Sequence, residues 1–129
     1  MRKGIRNMEP FFKSILEQDN CAVVICNTEH QIIYMNPVAC EKYGKYGGAA
    51  LLGKSLLDCH NARSREMIQK ILDWFYADKA NNRVHTFYNE KEKKDGYMIA
   101  LRDEEGELIG YYEKHEYRNQ DMEPFYKMD

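Results

Sequence analysis

Two adjacent side chains, Cys59 and His60, carry the groups in this chain that are best suited to hold a cofactor. They directly precede a segment with helical periodicity, and Ser64 follows one helical turn later. Neutral imidazole is a good ligand for haem iron when it faces an apolar slot. A histidine at such a turn can instead bond to nearby backbone groups as a local cap, and we favour this interpretation over a haem ligand.

The cysteines and the other histidines do not have the spacing of a metal site. The chain contains neither a CxxC motif nor a paired Cys/His grouping. Cys21 and Cys26 lie on one predicted strand with their side chains on opposite faces, so they cannot bind one ion together. We expect buried, reduced thiols in a reducing compartment, and no metal site. The residues concerned are Cys21, Cys26, Cys40, Cys59, His30, His85 and His115.

The segment GAALLGKS, residues 48–55, formally matches the phosphate-loop pattern GxxxxGK[ST]. A phosphate loop needs a buried parallel strand before it, a helix directly after it and an acidic partner for Mg²⁺. Here a predicted short helix precedes the segment and LLDCH follows it. We therefore interpret residues 48–55 as a linker between short helices.

Catalytic motifs are absent from the sequence, which contains neither GxSxG nor HExxH. Asp103, Glu104 and Glu105 fall in a predicted turn, where solvated charges are the simplest interpretation. We therefore expect that the chain is not an enzyme.

Composition limits the remaining classes of protein. The 129 residues suffice for one domain, and 19 basic residues are scattered among 21 acidic ones. This mixture predicts no nucleic-acid partner and no anionic membrane surface as a partner. No apolar run approaches the roughly 20 residues that span a bilayer. We expect a cytoplasmic protein.

Residues 21–44, CAVVICNTEHQIIYMNPVACEKYG, predict the elements that lead to the Cys-His pair. Apolar runs at residues 21–26 and 31–35 flank a polar break, which indicates a β-hairpin. Asn36 can cap a helix, and Pro37 suits the first helical position. A short helix should therefore follow and end at Gly44.

A long helix and three strands should complete the domain. The helix has an inward stripe that includes Ile71 and Phe75, and Asn61 or Ser64 can cap it. The strands are predicted at residues 83–88, 97–102 and 108–117, with Asp95 and Gly96 in the turn between the first two. Gly110 on the last strand indicates a close approach of backbone or ligand.

Both ends of the chain carry aromatic segments. Met8, Phe11, Phe12, Ile15 and Leu16 have the spacing of an apolar helical stripe. Because the first strand is apolar on both faces, this helix or its copy in a second chain should cover the sheet. MEPFF at residues 8–12 recurs as MEPFY at residues 122–126, either by chance or because both segments dock on similar surfaces.

The order of these elements resembles the PAS sensor family. The hairpin with its Asn-Pro, LLGKSLLDCH at residues 51–60 and the two strands within residues 96–117 carry the resemblance. It implies an α+β fold: a five-stranded antiparallel sheet, short helices, and one long helix across one face. The domains would be a flanking helix at 1–19, a PAS-like domain at 20–118 and a tail at 119–129.

The resemblance also implies a sensor that binds a small molecule in a pocket between the sheet and the Phe75 side of the long helix. It would signal through a homodimer built by the N-terminal helix, or through a signalling protein in trans, since no output domain follows. The initial Met favours a complete chain over a fragment. The pocket residues we predict are Tyr34, Tyr43, Tyr46, Leu56, His60, Ile71, Trp74, Met98 and Tyr112.

Two alternatives remain open at this stage. One is a structural dimerisation domain whose side chains fill the pocket, so that no ligand binds. The other is a haem-binding gas or redox sensor that uses His60, since several PAS sensors bind haem near this helix and some related bacterial proteins carry a similar Cys-His pair. Flavin is disfavoured, because NPVACEKYG does not match the motif of light-sensing members.

Overall fold

A computed structural model describes residues 7–127 of the chain. Five strands form one antiparallel sheet in the order β2-β1-β5-β4-β3, so the last strand lies in the middle. The predicted sheet is thereby confirmed. The strands are β1 (Val23–Asn27), β2 (Ile32–Met35), β3 (Arg83–Asn89), β4 (Lys94–Arg102) and β5 (Leu108–Tyr117).

Three α-helices accompany the sheet: α1 (Glu9–Gln18), α2 (Pro37–Lys42) and α3 (Ala62–Ala77). Three short 3₁₀ turns, Gly44–Tyr46, Gly48–Leu51 and Leu56–Cys59, connect α2 to α3. The second of them lies within residues 48–55, the segment that matches the phosphate-loop pattern, and the first of them, not a strand, precedes that segment. Among the described helices, none combines the length and apolar character needed to cross a membrane.

Asn36 joins the hairpin to α2 and to the N-terminal segment. Its side-chain oxygen accepts hydrogen bonds from the amides of Val23 at 2.9 Å and Ala39 at 3.0 Å. Its Nδ2 donates to the carbonyls of Cys21 at 2.9 Å and Leu16 at 3.1 Å. A fully buried amide with four partners fixes the exit of β2 and the start of α2 in one geometry.

The core lies between one face of the sheet and α3. Val24 and Cys26 of β1 face it, together with Ala22 just before the strand, as the alternation of residues 22–26 predicts. Phe75 of α3 is fully buried there, and its carbonyl accepts a hydrogen bond of 2.7 Å from Arg102 Nη2. This end of α3 is therefore both packed and capped.

His30 connects the hairpin turn to the core, which the sequence did not reveal. Its Nε2 lies 3.2 Å from Gln69 Oε1, and its Nδ1 lies 2.8 Å from the hydroxyl of Tyr111. Because the amide oxygen of Gln69 can only accept, Nε2 carries the proton and the Tyr111 hydroxyl donates to Nδ1. The turn is thus anchored to both α3 and β5.

The hairpin between β3 and β4 differs from the prediction. The turn consists of residues 90–93, with Lys93 at a φ of 52°, and Asp95 and Gly96 lie within β4. The prediction that Asp95 and Gly96 form the turn is therefore wrong. The physical reason is packing: a Cβ on Gly96 would lie 2.2 Å from the ring of Phe87, so the glycine is needed beneath that ring.

Gly110 marks an approach of backbone, not of a ligand. A Cβ at this position would lie 2.2 Å from the carbonyl oxygen of Cys26 on the neighbouring strand. The missing side chain therefore allows β1 and β5 to come together.

The cysteines do not form disulfides among the described residues, and their exposure varies. Cys21 and Cys26 are buried, Cys40 is half-buried and Cys59 is exposed. The expectation of buried thiols therefore fails for Cys59, because its 3₁₀ turn lies at the surface.

The two aromatic end segments differ in structure. The first begins α1, and its side chains Phe11 and Phe12 are exposed. The second lies outside any helix or strand, and Phe125 and Tyr126 are also exposed. Neither segment is covered by the rest of the described chain.

We predict that Asn36→Ala lowers the free energy of unfolding by about 3 kcal/mol, because it leaves several buried backbone groups without partners. Urea denaturation measures this change. Asn61→Ala is the matched control, since the Asn61 side chain caps α3 through one exposed hydrogen bond to Ser64. Its loss should cost about 1 kcal/mol. Equal effects of the two substitutions would contradict the role assigned to Asn36.

Candidate functional site

A cavity of about 430 Å³, here called the main cavity, opens between the sheet and the first half of α3. Its helical wall includes Tyr43, His60, Ser64 and Ile68. Its sheet wall is built by two residues each from β3, β4 and β5: Thr86, Phe87, Tyr97, Met98, Glu113 and His115.

The main cavity lies at the opposite end of α3 from the predicted pocket. Phe75, Leu72 and Ile71 pack into the core against the sheet, so little space is left on the Phe75 side. The main cavity lies near the start of α3, where the helix presents the small side chain of Ser64.

Glu113 lies at the centre of the core face of the sheet. It belongs to the middle strand, and its backbone neighbours are Met98 on β4 and Val24 on β1. No side-chain hydrogen bond of Glu113 is found among residues 7–127. Burial raises the pKa of its carboxyl group, and the charges of His60 and Lys42 offset only part of this effect. An acid between two apolar residues is a feature that packing alone does not explain.

His60 has one ring nitrogen bound and one free to face a ligand. Its Nδ1 lies 2.8 Å from the carbonyl oxygen of Leu56, which can only accept, so Nδ1 carries a proton. The local cap that the sequence predicted is therefore present. In the neutral ring, Nε2 then offers a lone pair toward the lining of the cavity.

A second cavity of about 200 Å³, here called the side cavity, adjoins the first. Leu51, Leu56 and Cys59 line it from the 3₁₀ turns, and Tyr46 closes it. Three residues belong to the walls of both cavities: Tyr43, His60 and Glu113. Three side chains with polar groups thus lie at the boundary between the two hollows.

One end of the main cavity is basic. Lys42 Nζ lies 2.9 Å from His115 Nδ1, and Lys94 Nζ lies 2.8 Å from Glu92 Oε2. Burial and the neighbouring Lys94 lower the pKa of Lys42 to about 8. Burial and the two lysines lower the pKa of His115 to about 4, so it is neutral at pH 7 and accepts a hydrogen bond from Lys42. We call Lys42, Lys94 and His115 the basic end; Lys42 and His115 line the cavity, and Lys94 neighbours Lys42 outside its lining.

Five of the nine predicted pocket residues line these cavities. Tyr43 and His60 line both, Met98 lines the main cavity, and Tyr46 and Leu56 line the side cavity.

The other four predicted residues lie elsewhere. Tyr112 and Tyr34 flank Ile25 on the opposite face of the sheet, because strand alternation places Tyr111 on the core side. Trp74, 42% exposed, and Ile71 line an outer groove between α3 and β3. These positions correct the predicted pocket.

The sequence reasoning missed the charged residues of the site. Lys42, Glu113 and His115 were not proposed, since charged side chains are normally assigned to solvent. The alternation of β5 held the signal: with Tyr111 on the core face, Glu113 and His115 must share that face. Lys42 gave no comparable signal, because its place depends on how α2 packs.

Comparisons with known proteins agree with this architecture. A family model described as a PAS domain matches residues 20–113. No curated protein matches the chain. A PAS domain from Colwellia psychrerythraea shares the fold with a TM-score of 0.63 at 13% identity, over 87% of this chain and 98% of that one.

Two further solved structures are similar. The PAS domain of BvgS from Bordetella pertussis has a TM-score of 0.62 and 18% identity, covering 86% of each chain. The Aer2 receptor of Vibrio cholerae, described as a dual PAS-heme oxygen sensor, has a TM-score of 0.56 and 17% identity. It covers 74% of this chain and 92% of that one. At these identities the likeness concerns the fold.

We predict that Glu113→Gln makes the ligand-free protein more stable at pH 7 than the parent. The pKa of Glu113 is higher in the folded than in the unfolded chain. Protonated Glu113 therefore contributes fully to the free energy of unfolding below the unfolded pKa, and this contribution is lost as pH rises through the folded pKa. The gain is about 1.4 kcal/mol for each unit that separates the two pKa values.

Urea denaturation between pH 4 and pH 8 measures this effect. The advantage of Glu113→Gln should shrink toward pH 4. Glu104→Gln, which changes an exposed glutamate in a turn, is the control and should be neutral throughout. A Glu113→Gln protein that is less stable than the parent at pH 7 would contradict the assignment.

Proposed function

The chain belongs to the PAS domain family, whose members generally serve as sensory modules in signalling proteins, and we propose that it senses a small molecule held in the main cavity. The observation that carries the proposal is Glu113, an acid on the core face of the middle strand with no side-chain hydrogen bond among residues 7–127. Ligand sites are mostly apolar hollows with a few polar groups that fix orientation. The main cavity has this composition, and its volume lies within the usual range for such sites.

The polar groups at the boundary of the two cavities define how a ligand would be held. Glu113, with its raised pKa, offers a hydroxyl donor when protonated, and His60 Nε2 offers an acceptor. Met98 and Ile68 would contact the apolar part of the ligand. We propose binding and signalling without catalysis, in keeping with a family of typically non-enzymatic modules.

The structural alternative, a domain with a filled core and no ligand, requires side chains that occupy the hollow. The cavity and the unbonded acid favour the sensor over this alternative.

Haem is a weaker candidate. His60 has the free Nε2 that iron requires. However, His60, Tyr43 and Glu113 stand between two separate hollows, whereas haem needs one continuous apolar slot. We therefore do not propose haem. A Soret band in the purified protein that disappears in His60→Ala would establish it.

For signalling, we propose a homodimer built through α1. The side chains of Phe11, Phe12 and Ile15 form one exposed apolar stripe on this helix. The Leu16 carbonyl binds Asn36, so α1 is tied to the end of β2 and thereby to the wall of the side cavity. A change in the cavity could then reach a partner chain, or a signalling protein that acts in trans.

Native mass spectrometry of the freshly purified full chain tests the ligand proposal. We predict a bound small molecule in the parent and in Ala62→Leu, which changes an exposed position of α3. Ser64→Leu fills the main cavity and should lack the bound mass. The proposal fails if the parent carries no bound mass and no compound in a metabolite screen raises its melting temperature.

Size-exclusion chromatography with light scattering tests the dimer. We predict a dimer for the parent and a monomer for Ile15→Glu, because a charge in the apolar stripe opposes its burial. Phe125→Glu is the control, since it places the same charge in the exposed tail and should leave the dimer intact. A parent that is monomeric at high micromolar concentration would contradict the proposal.

A further inference from the structure

The basic end of the main cavity suggests the chemical class of the ligand. Lys94 is only 5% exposed. Lys42 lies next to it, and the Lys42 ammonium group donates a hydrogen bond to His115. A buried lysine is costly unless an anion compensates it, which applies to Lys94; Lys42 is exposed to solvent but lines the main cavity. Glu92 compensates Lys94 at 2.8 Å, whereas no carboxylate lies within ion-pair distance of Lys42 among residues 7–127.

The charges of this end sum to one uncompensated cation. Lys42 and Lys94 each contribute a positive charge and Glu92 one negative charge. His115 is neutral at pH 7. A monoanion balances these groups of the basic end, whereas a dianion such as a phosphate monoester would leave an excess of negative charge.

The neighbouring walls are apolar. Phe87 lies edge-on to the ring of His115, with ring centroids 5.3 Å apart, and so forms the wall next to the basic end. Met98 and Ile68 continue this wall toward Glu113. A ligand with its anionic group at Lys42 would thus lay an apolar or aromatic body across these side chains.

We propose that the main cavity binds a small monocarboxylic acid, with its carboxylate held by Lys42 in front of Lys94 and its apolar body against Phe87 and Met98. This inference rests on the proposed function, since it names the ligand class of the same site. Glu113 and His60 then meet whatever polar group the acid carries at its other end.

Isothermal titration of the full chain with matched probes tests this assignment. Phenylacetate carries the carboxylate, phenylacetamide is its neutral counterpart, and benzylphosphonate carries a second negative charge. We expect phenylacetate to bind about tenfold more tightly than either of the others, because a charge-assisted contact is lost or overcompensated in them.

Substitutions assign the preference to Lys42. Lys42→Met should abolish the advantage of phenylacetate over phenylacetamide, and Lys42→Arg should keep most of it. Lys45→Met is the control, because Lys45 is an exposed lysine nearby that does not line the cavity. Affinity for phenylacetate should also fall above about pH 8, because Lys42 in the ligand-free protein loses its proton there. The charged and titratable groups that face Lys42 are Lys94, Glu92, His115 and Glu113.

The outcomes separate this inference from the proposed function. Equal affinity for phenylacetate and phenylacetamide, or a preference that survives Lys42→Met, overturns the carboxylate and leaves the sensor standing. If no probe binds, the compound found by native mass spectrometry decides. A neutral bound compound overturns the inference, whereas a bound acid that is lost in Lys42→Met supports it. If no probe binds and no bound compound is found, both proposals fail.

Discussion

The candidate site depends on the carboxyl group of Glu113, which lies half-buried on the core face of the middle strand without a side-chain hydrogen bond among residues 7–127. Its strand neighbours, Val24 and Met98, provide no hydrogen-bond partner. Burial disfavours the charged form of such an acid, and protonation or a ligand relieves this penalty. A cavity lies beside this group, and this supports the proposal that a small molecule binds there.

The surrounding scaffold is held by polar side chains with complete sets of partners. Asn36 connects β1, α1 and α2, and His30 connects the hairpin turn to α3 and β5. Arg102 binds the carbonyls at the end of α3. Because satisfied buried polar groups are rigid, the cavity walls are fixed before a ligand arrives. Glu113 stands out against this pattern.

Much of the fold followed from local signals in the sequence. Hydrophobic periodicity located α3 and all five strands, and the Asn-Pro pair located the start of α2. The turn at Asp95 and Gly96 was misplaced, because the glycine serves packing under Phe87, a contact between strands that no local pattern records. The position of the pocket was harder to predict from the sequence, since it depends on which side chains leave space between the packed elements. Tyr112 was chosen for its type, whereas the register of β5 turns it to the opposite face.

The central claim is that a hollow exists beside Glu113 on the core side of Met98. Xenon binds next to apolar side chains in a cavity, here Met98 and Ile68, and the ¹³C-methyl signals of labelled methionines report its presence. The account predicts that xenon shifts the signal of Met98, which is 3% exposed and lines the main cavity, and that a bound ligand prevents this shift. The signal of Met122 in the exposed tail should stay unchanged. A Met98 signal that xenon does not move in the ligand-free protein would show a filled core and contradict the account.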